Sequence, residues 1–278
     1  MESVIRPAAT LIGRATSAPV ARLRLPFHFP PLRRKLAHLS NQAQSNLVGD
    51  DVVAAARSLR RSAVEKLLRA NYPRVCRLAF GLCGRESAGK SVVKKIMTRS
   101  LTALPKWRNE AEAINWFSRH TVLAAREIAP SPPPPSEDCL LTRIGRPSPP
   151  YLAFVRSLRQ LPSQQTEAFI LFRAECLEPR QAAISMDCST QAAANHLIAA
   201  NKALAAVAAD QFDAQSDTLV RVYASLTPTE DFILGQVASV GRRLTRRRLR
   251  KTIFLLITLG LGGVLAWVIW RISQMVVI

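Results

Sequence analysis

The chain has 278 residues, with 39 Lys and Arg against 19 Asp and Glu and a formal net charge of +20. Length allows one or two small domains, and the charge points to a polyanion, nucleic acid or a membrane surface, as partner. Five dispersed cysteines without a CxxC pair, and four histidines far apart, exclude a disulfide framework and a zinc site, and no Ser/His/Asp or Cys/His spacing supports covalent catalysis.

Residues 1–49 are expected to form a disordered basic arm. From Ser3 to Gly49 there are seven Lys and Arg and no acid, which also resembles an organellar transit peptide. Arg6, Pro7 and Arg14 cut the apolar stretches, so this is no signal peptide. Residues 50–129 read as helical, since apolar residues recur at three- and four-residue steps: Val64, Leu67 and Leu68, then Val75, Leu78 and Leu82, then Val92, Val93 and Ile96. Breaks are expected near Tyr72–Pro73, Gly81–Gly84 and Leu104–Pro105. Half of the charge excess lies in residues 60–128, 15 Lys and Arg against 5 Asp and Glu.

Residues 130–150 contain eight prolines and predict an extended linker. Residues 151–212 return to helix, with 5 Lys and Arg against 4 Asp and Glu over 151–209. Within them, Glu178 to Ile184 reads as a short helix with proline at its first turn, Met186-Asp187-Cys188 as a turn, and Ser189 as the cap of a long helix. Short helix, turn and capped helix make a helix-turn-helix pattern. No alternating strand pattern is seen, so the fold class is all-α: two small helical domains, a Pro-rich linker and a C-terminal membrane helix.

Residues 213–251 are expected to be a stem ending in Arg242, Arg243, Arg246, Arg247, Arg248, Arg250 and Lys251. Behind them, Thr252 to Trp270 holds no charge. At about 1.5 Å rise per residue this run spans about 28 Å, close to the hydrocarbon thickness of a bilayer. Trp267 and Trp270 suit the far headgroup level, and the preceding cations should stay cytoplasmic. The expectation is a single span at the inner, cytoplasmic membrane, with residues 271–278 a short tail and everything before the span cytoplasmic.

Two stretches carry a resemblance. SLRQLPSQQTEAFILFRAECLEPRQAAISMDCSTQAAANHLIAANKAL resembles region four of sigma-70-type RNA polymerase sigma factors. AVEKLLRANYPRVCRLAFGLCGRESAGKSVVKKIMTRSLTALPKW, with NWFSRHTVLAARE after it, resembles region two. Two such domains in this order are similar to the extracytoplasmic-function group. The resemblance implies binding to core RNA polymerase and promoter DNA in transcription initiation, with no enzyme activity and no cofactor or metal. It points to Ser189, Thr190, Gln191, Asn195, His196 and Lys202 in the second domain and to Lys94, Lys95, Arg119 and Arg126 in the first as DNA-binding residues.

The chain departs from the family where region two grips polymerase: Gly89, Lys90, Val93 and Lys94 stand where acids and a glutamine are usual. A second reading is therefore a degenerate sigma-like scaffold or signalling adaptor that works by protein contacts at the membrane. A regulatory protein is a further candidate partner, and oligomeric state stays open. A third reading comes from Gly84 to Ser91, which fits the phosphate-binding pattern GxxxxGK[ST] of nucleotide hydrolases. Trp107 and Trp116 are expected to pack the first domain, and the resemblance offers contact with melted promoter DNA as the alternative.

Overall fold

A computed structural model describes residues 48–276, apart from Pro228 and the side chains of Arg247, Arg248, Lys251, Ile269, Arg271 and residues 273–276. The basic arm through residue 47 and the last residues of the tail lie outside it. Among the described residues there is no strand, only an isolated bridge between Arg85 and Asp138, and the fold is all-α.

The first half contains α1 (Asp50–Arg57), α2 (Arg61–Cys83), α3 (Glu86–Ala103) and α4 (Glu110–Ile128). Their apolar stripes, Leu67, Leu68 and Leu78 on α2, Ile96 and Met97 on α3 and Phe117 on α4, are fully or almost fully buried against one another. α2 runs unbroken through Pro73, where a break was expected. Proline removes one backbone hydrogen bond and costs about 3 kcal/mol inside a helix; burial of Leu68, Tyr72, Val75 and Cys76 on the turns either side offsets that. α2 ends at Gly84, at the expected Gly81–Gly84 break, where a φ of 69° lies in the left-handed region. The break at Leu104–Pro105 appears as a short 3₁₀ turn, Leu104–Lys106. Trp107 is buried, 5.3 Å from both Trp116 and Phe117 between ring centroids, so these aromatics pack the first half.

Residues 130–150 do more than span a gap. Asp138 caps a one-turn helix, α5 (Cys139–Thr142), and Asp138 to Leu141 are buried. The second half contains α6 (Pro149–Gln160), α7 (Ser163–Phe169) with a π turn at Ile170–Ala174, α8 (Pro179–Met186) and α9 (Thr190–Ala208). Phe154, Phe169, Leu197 and Leu204 fill its interior. The stem is helical too: α10 (Phe212–Ala224) and the 47-residue α11 (Glu230–Val276). Buried residues from both halves, α10 and the first part of α11 belong to one core.

α11 packs on α2 and α3 as far as Leu244, which is 3% exposed. Beyond it Phe254, Leu259, Leu261 and Leu265 are each more than 60% exposed. Among the described residues no helix is long and apolar enough to cross a membrane.

Candidate nucleic-acid interface

The helix-turn-helix expected from sequence is present in form. Pro179 opens α8, where its missing N–H is unneeded. Asp187 takes a left-handed conformation (φ 59°, ψ 46°), a shape that aspartate tolerates better than most residues, and turns the chain. Ser189 Oγ then accepts from Ala192 N at 3.1 Å and caps α9. Ser189 is thus committed to the cap. Ala193, Leu197, Ala200 and Leu204 bury one face of α9, leaving Thr190, Gln191, Asn195, Ile198 and Lys202 exposed on the other. Gln191 Nε2 donates to Asn195 Oδ1 at 3.0 Å, one turn apart on that outer face. His196 is half-buried at its edge.

The four first-half residues divide. Lys94 is exposed on α3. Lys95 Nζ sits 2.5 Å from Glu127 Oε2. Arg119 and Arg126, two turns apart on α4, both reach residues of the second half. Arg119 pairs with Asp187 at 2.8 Å, at the turn of the helix-turn-helix. Arg126 donates to both carboxylate oxygens of Glu167, at 2.6 and 2.5 Å, and to the carbonyl of Met186 at the end of α8. Glu167 is 4% exposed in its side chain; burial raises its pKa, against the lowering effect of Arg126. A buried carboxylate needs such a forked partner. Arg126 is therefore a joint between the halves, whereas Arg119 keeps 43% of its side chain exposed in a surface pair with Asp187.

Two further joints were missed from sequence. Arg159, 7% exposed, donates to both oxygens of Asp138 (2.8 and 3.0 Å) and to the carbonyls of Gly81 and Leu82 at the end of α2 (2.7 and 3.2 Å). Glu175, just past the π turn, receives Arg74 at 3.2 Å, Arg77 at 3.8 Å and the Tyr223 hydroxyl at 2.6 Å. The ring of Tyr223 lies so close to Gly81 that a Cβ there would come within 2.6 Å of it. The only signal in the sequence was acids placed among apolar residues, at Asp138, Glu167 and Glu175.

The residues of the phosphate-binding pattern do not form a loop after a strand. α3 begins at Glu86, so Ser87 to Ser91 are helical; Lys90 pairs with Glu86 at 2.6 Å and Ser91 Oγ bonds to the Ser87 carbonyl. Their backbone amides are held within a helix, not splayed into a phosphate cradle. Among the described residues no group of His, Cys, Asp and Glu could hold a metal ion. Burial pushes the thiols of Cys76 and Cys83 up to about 12, which makes them inert core groups. A cavity of about 130 Å³ beside Pro132 and Pro133 is small for a ligand, and the charged groups lining it, Arg126, Arg159 and Glu167, are paired with protein groups.

No family model, curated protein or solved structure matches this chain.

Proposed function

We propose that the chain is a membrane-tethered, sigma-factor-like protein that binds core RNA polymerase and promoter DNA in transcription initiation, without catalysing a reaction. The observation that carries this reading is the outer face of α9: a capped helix after a left-handed turn, with Gln191 and Asn195 exposed beside each other. Both side-chain types read adenine through paired hydrogen bonds in the major groove. Lys202 on the same helix and Lys94 on α3 are exposed cations for phosphates. The tether is the C-terminal part of α11, whose large apolar side chains from Ile253 to Val268 are exposed. In water such a stripe would be a liability; in a bilayer it is the expected surface.

The full chain, held in nanodiscs, tests the reading in two assays. It should capture purified core RNA polymerase, and it should select a preferred duplex from a random pool. Replacing Gln191 and Asn195 by Ala should relax that preference while leaving the salt dependence of binding nearly unchanged. A chain that captures no polymerase and shows no duplex preference sinks the proposal.

One observation favours the adaptor reading. The first part of α11 covers α2 and α3, with the Phe232 ring 6.3 Å from that of Tyr72 and Lys90 Nζ 5.7 Å from the centre of the same Phe232 ring. Lys90 is one of the positions where the family grips polymerase, so here that place is engaged by the chain's own tail. Capture of polymerase only after α11 is displaced from α3, for example in a Phe232→Asp variant, would reconcile the two readings; no capture in either form would leave the adaptor.

A further inference from the structure

α11 and α2 lie antiparallel. Phe232 meets Tyr72 near the start of α11, while Gly241, nine residues on, lies against Arg61 and Glu65 at the start of α2. The N-terminal end of α2 and the turn before it therefore face the same way as the continuation of α11 toward its apolar run. That turn carries Arg57, Arg60 and Arg61, all exposed. Arg61 pairs with Glu65 at 2.8 Å, and no ion pair to Arg57 or Arg60 is formed among the described residues.

The levels can be counted along α11, which is one helix from Glu230 to Val276. From Gly241, level with Arg61, to Thr252, where the uncharged run begins, is eleven residues, about 16 Å. Headgroups occupy roughly the first 5–8 Å outside the hydrocarbon. Arg60 directly precedes Arg61 and Arg57 ends α1 three residues earlier, so the corner stands about 16 Å from the start of the uncharged run, within about one screening length of the phosphates. The same stretch of α11 adds Arg242, Arg243, Arg246 and Arg250, all exposed. A rigid helix, not a flexible stem, sets this distance.

We propose that the α1–α2 corner, Arg57, Arg60 and Arg61, forms with the juxtamembrane arginines of α11 one composite surface for the phosphates of anionic phospholipids, fixing the orientation of the body on the bilayer. This rests on the membrane-anchor reading above. The corner acts as a second foot: α11 holds the body near the membrane, and the corner stops it rotating about the helix.

The test is amide hydrogen exchange of the full chain in nanodiscs of phosphatidylcholine alone or with phosphatidylglycerol. Exchange at Ser58 to Arg61 should slow about tenfold on the anionic discs. The slowing should vanish in about 1 M salt, where screening is nearly complete, and in the variant Arg57→Gln/Arg60→Gln/Arg61→Gln. Unchanged exchange in the middle of α2 in that variant shows that the fold is retained. Equal exchange on both lipids, with the chain still in the discs at high salt, overturns the second foot and leaves the anchor standing. Release of the chain from the discs by salt alone overturns the anchor reading and this inference with it. Slowing produced by duplex DNA but not by anionic lipid makes the corner a nucleic-acid contact and also overturns it.

Discussion

Residues 60–128 carry ten more cations than acids, while residues 151–209 carry one more. The two regions look as though one were built for a polyanion and the other were nearly neutral. The structure shows where the difference goes. Arg74 and Arg77 meet Glu175, Arg126 meets Glu167, and Arg119 meets Asp187. Three of the four acids of the second region are thus neutralised by arginines of the first, across the seam between the halves. The excess of the first region is in part the deficit of a joint, and the second region is poor in net charge because its acids serve that joint.

The first region nonetheless keeps exposed cations. Arg60, Lys66, Arg69, Lys94, Arg99, Lys106 and Arg108 face solvent. Surface pairs such as Lys90–Glu86 are worth about 0–1 kcal/mol and leave their charges available to a stronger partner. Buried pairs differ: separating one leaves a charge without solvent or partner. The inner and outer cations of the same region are therefore different in kind, and substitution tells them apart.

The largest expected effect is at Glu175. Its replacement by Ala strands Arg74, Arg77 and the Tyr223 hydroxyl, and should cost about 3–5 kcal/mol of stability. Denaturant unfolding of the full chain in mild detergent measures it, with Glu86→Ala as the surface control expected to cost under about 1 kcal/mol. Equal losses in the two variants would break the distinction between inner and outer cations.

Asp138 sharpens it. Asp138→Ala should cost about 3 kcal/mol, since the buried Arg159 keeps only carbonyl partners. Changing both residues, Asp138→Leu with Arg159→Met, should lose less than the single change, because no buried charge remains. At the same seam, Gly81→Ala forces a Cβ toward the Tyr223 ring and should cost about 1–3 kcal/mol. A neutral Gly81→Ala would mean that α10 can shift off α2 without loss, and that the closeness of the two helices is not a constraint.

How much of this was legible beforehand follows from the physics of each element. Periodicity in residues 64–96 depends on one face of one helix, so α2 and α3 could be read locally, as could the short helix, turn and capped helix that became α8 and α9. Ser189 as a cap needs only its own amide neighbours. The seam needs residues forty or more positions apart, Arg126 with Glu167 and Arg74 with Glu175, and nothing local distinguishes such an arginine from one that faces DNA. For the same reason Arg119 and Arg126 read as nucleic-acid contacts. The prolines of 130–150 implied an extended chain, and no local feature showed that Asp138 would be drawn inward by Arg159.

The smallest expected effect is a pH dependence at His120. Its ring stacks on Trp116 at 4.2 Å between centroids, with Nδ1 2.9 Å from the Trp116 carbonyl. Burial, with Arg119 and Arg99 nearby, holds its pKa below the ordinary 6.5, although the Trp116 carbonyl pulls the other way. A histidine depressed in the folded state binds its proton more tightly when unfolded. Its contribution is therefore complete above pH 6.5 and fades as pH falls toward the folded value. Glu167 opposes this. Its pKa is raised above the ordinary 4.5, so the folded state takes up a proton there first and gains stability on acidification. Glu127, lowered by Lys95, has its window below 4.5 and plays no part in milder acid. Between pH 7 and 5.5 the full chain should thus lose a modest amount of stability, on the order of 1 kcal/mol or less. In His120→Gln the loss should disappear. Parallel profiles for the two proteins would show that the stacked imidazole does not titrate in this range, and would leave the slope to groups outside the seam.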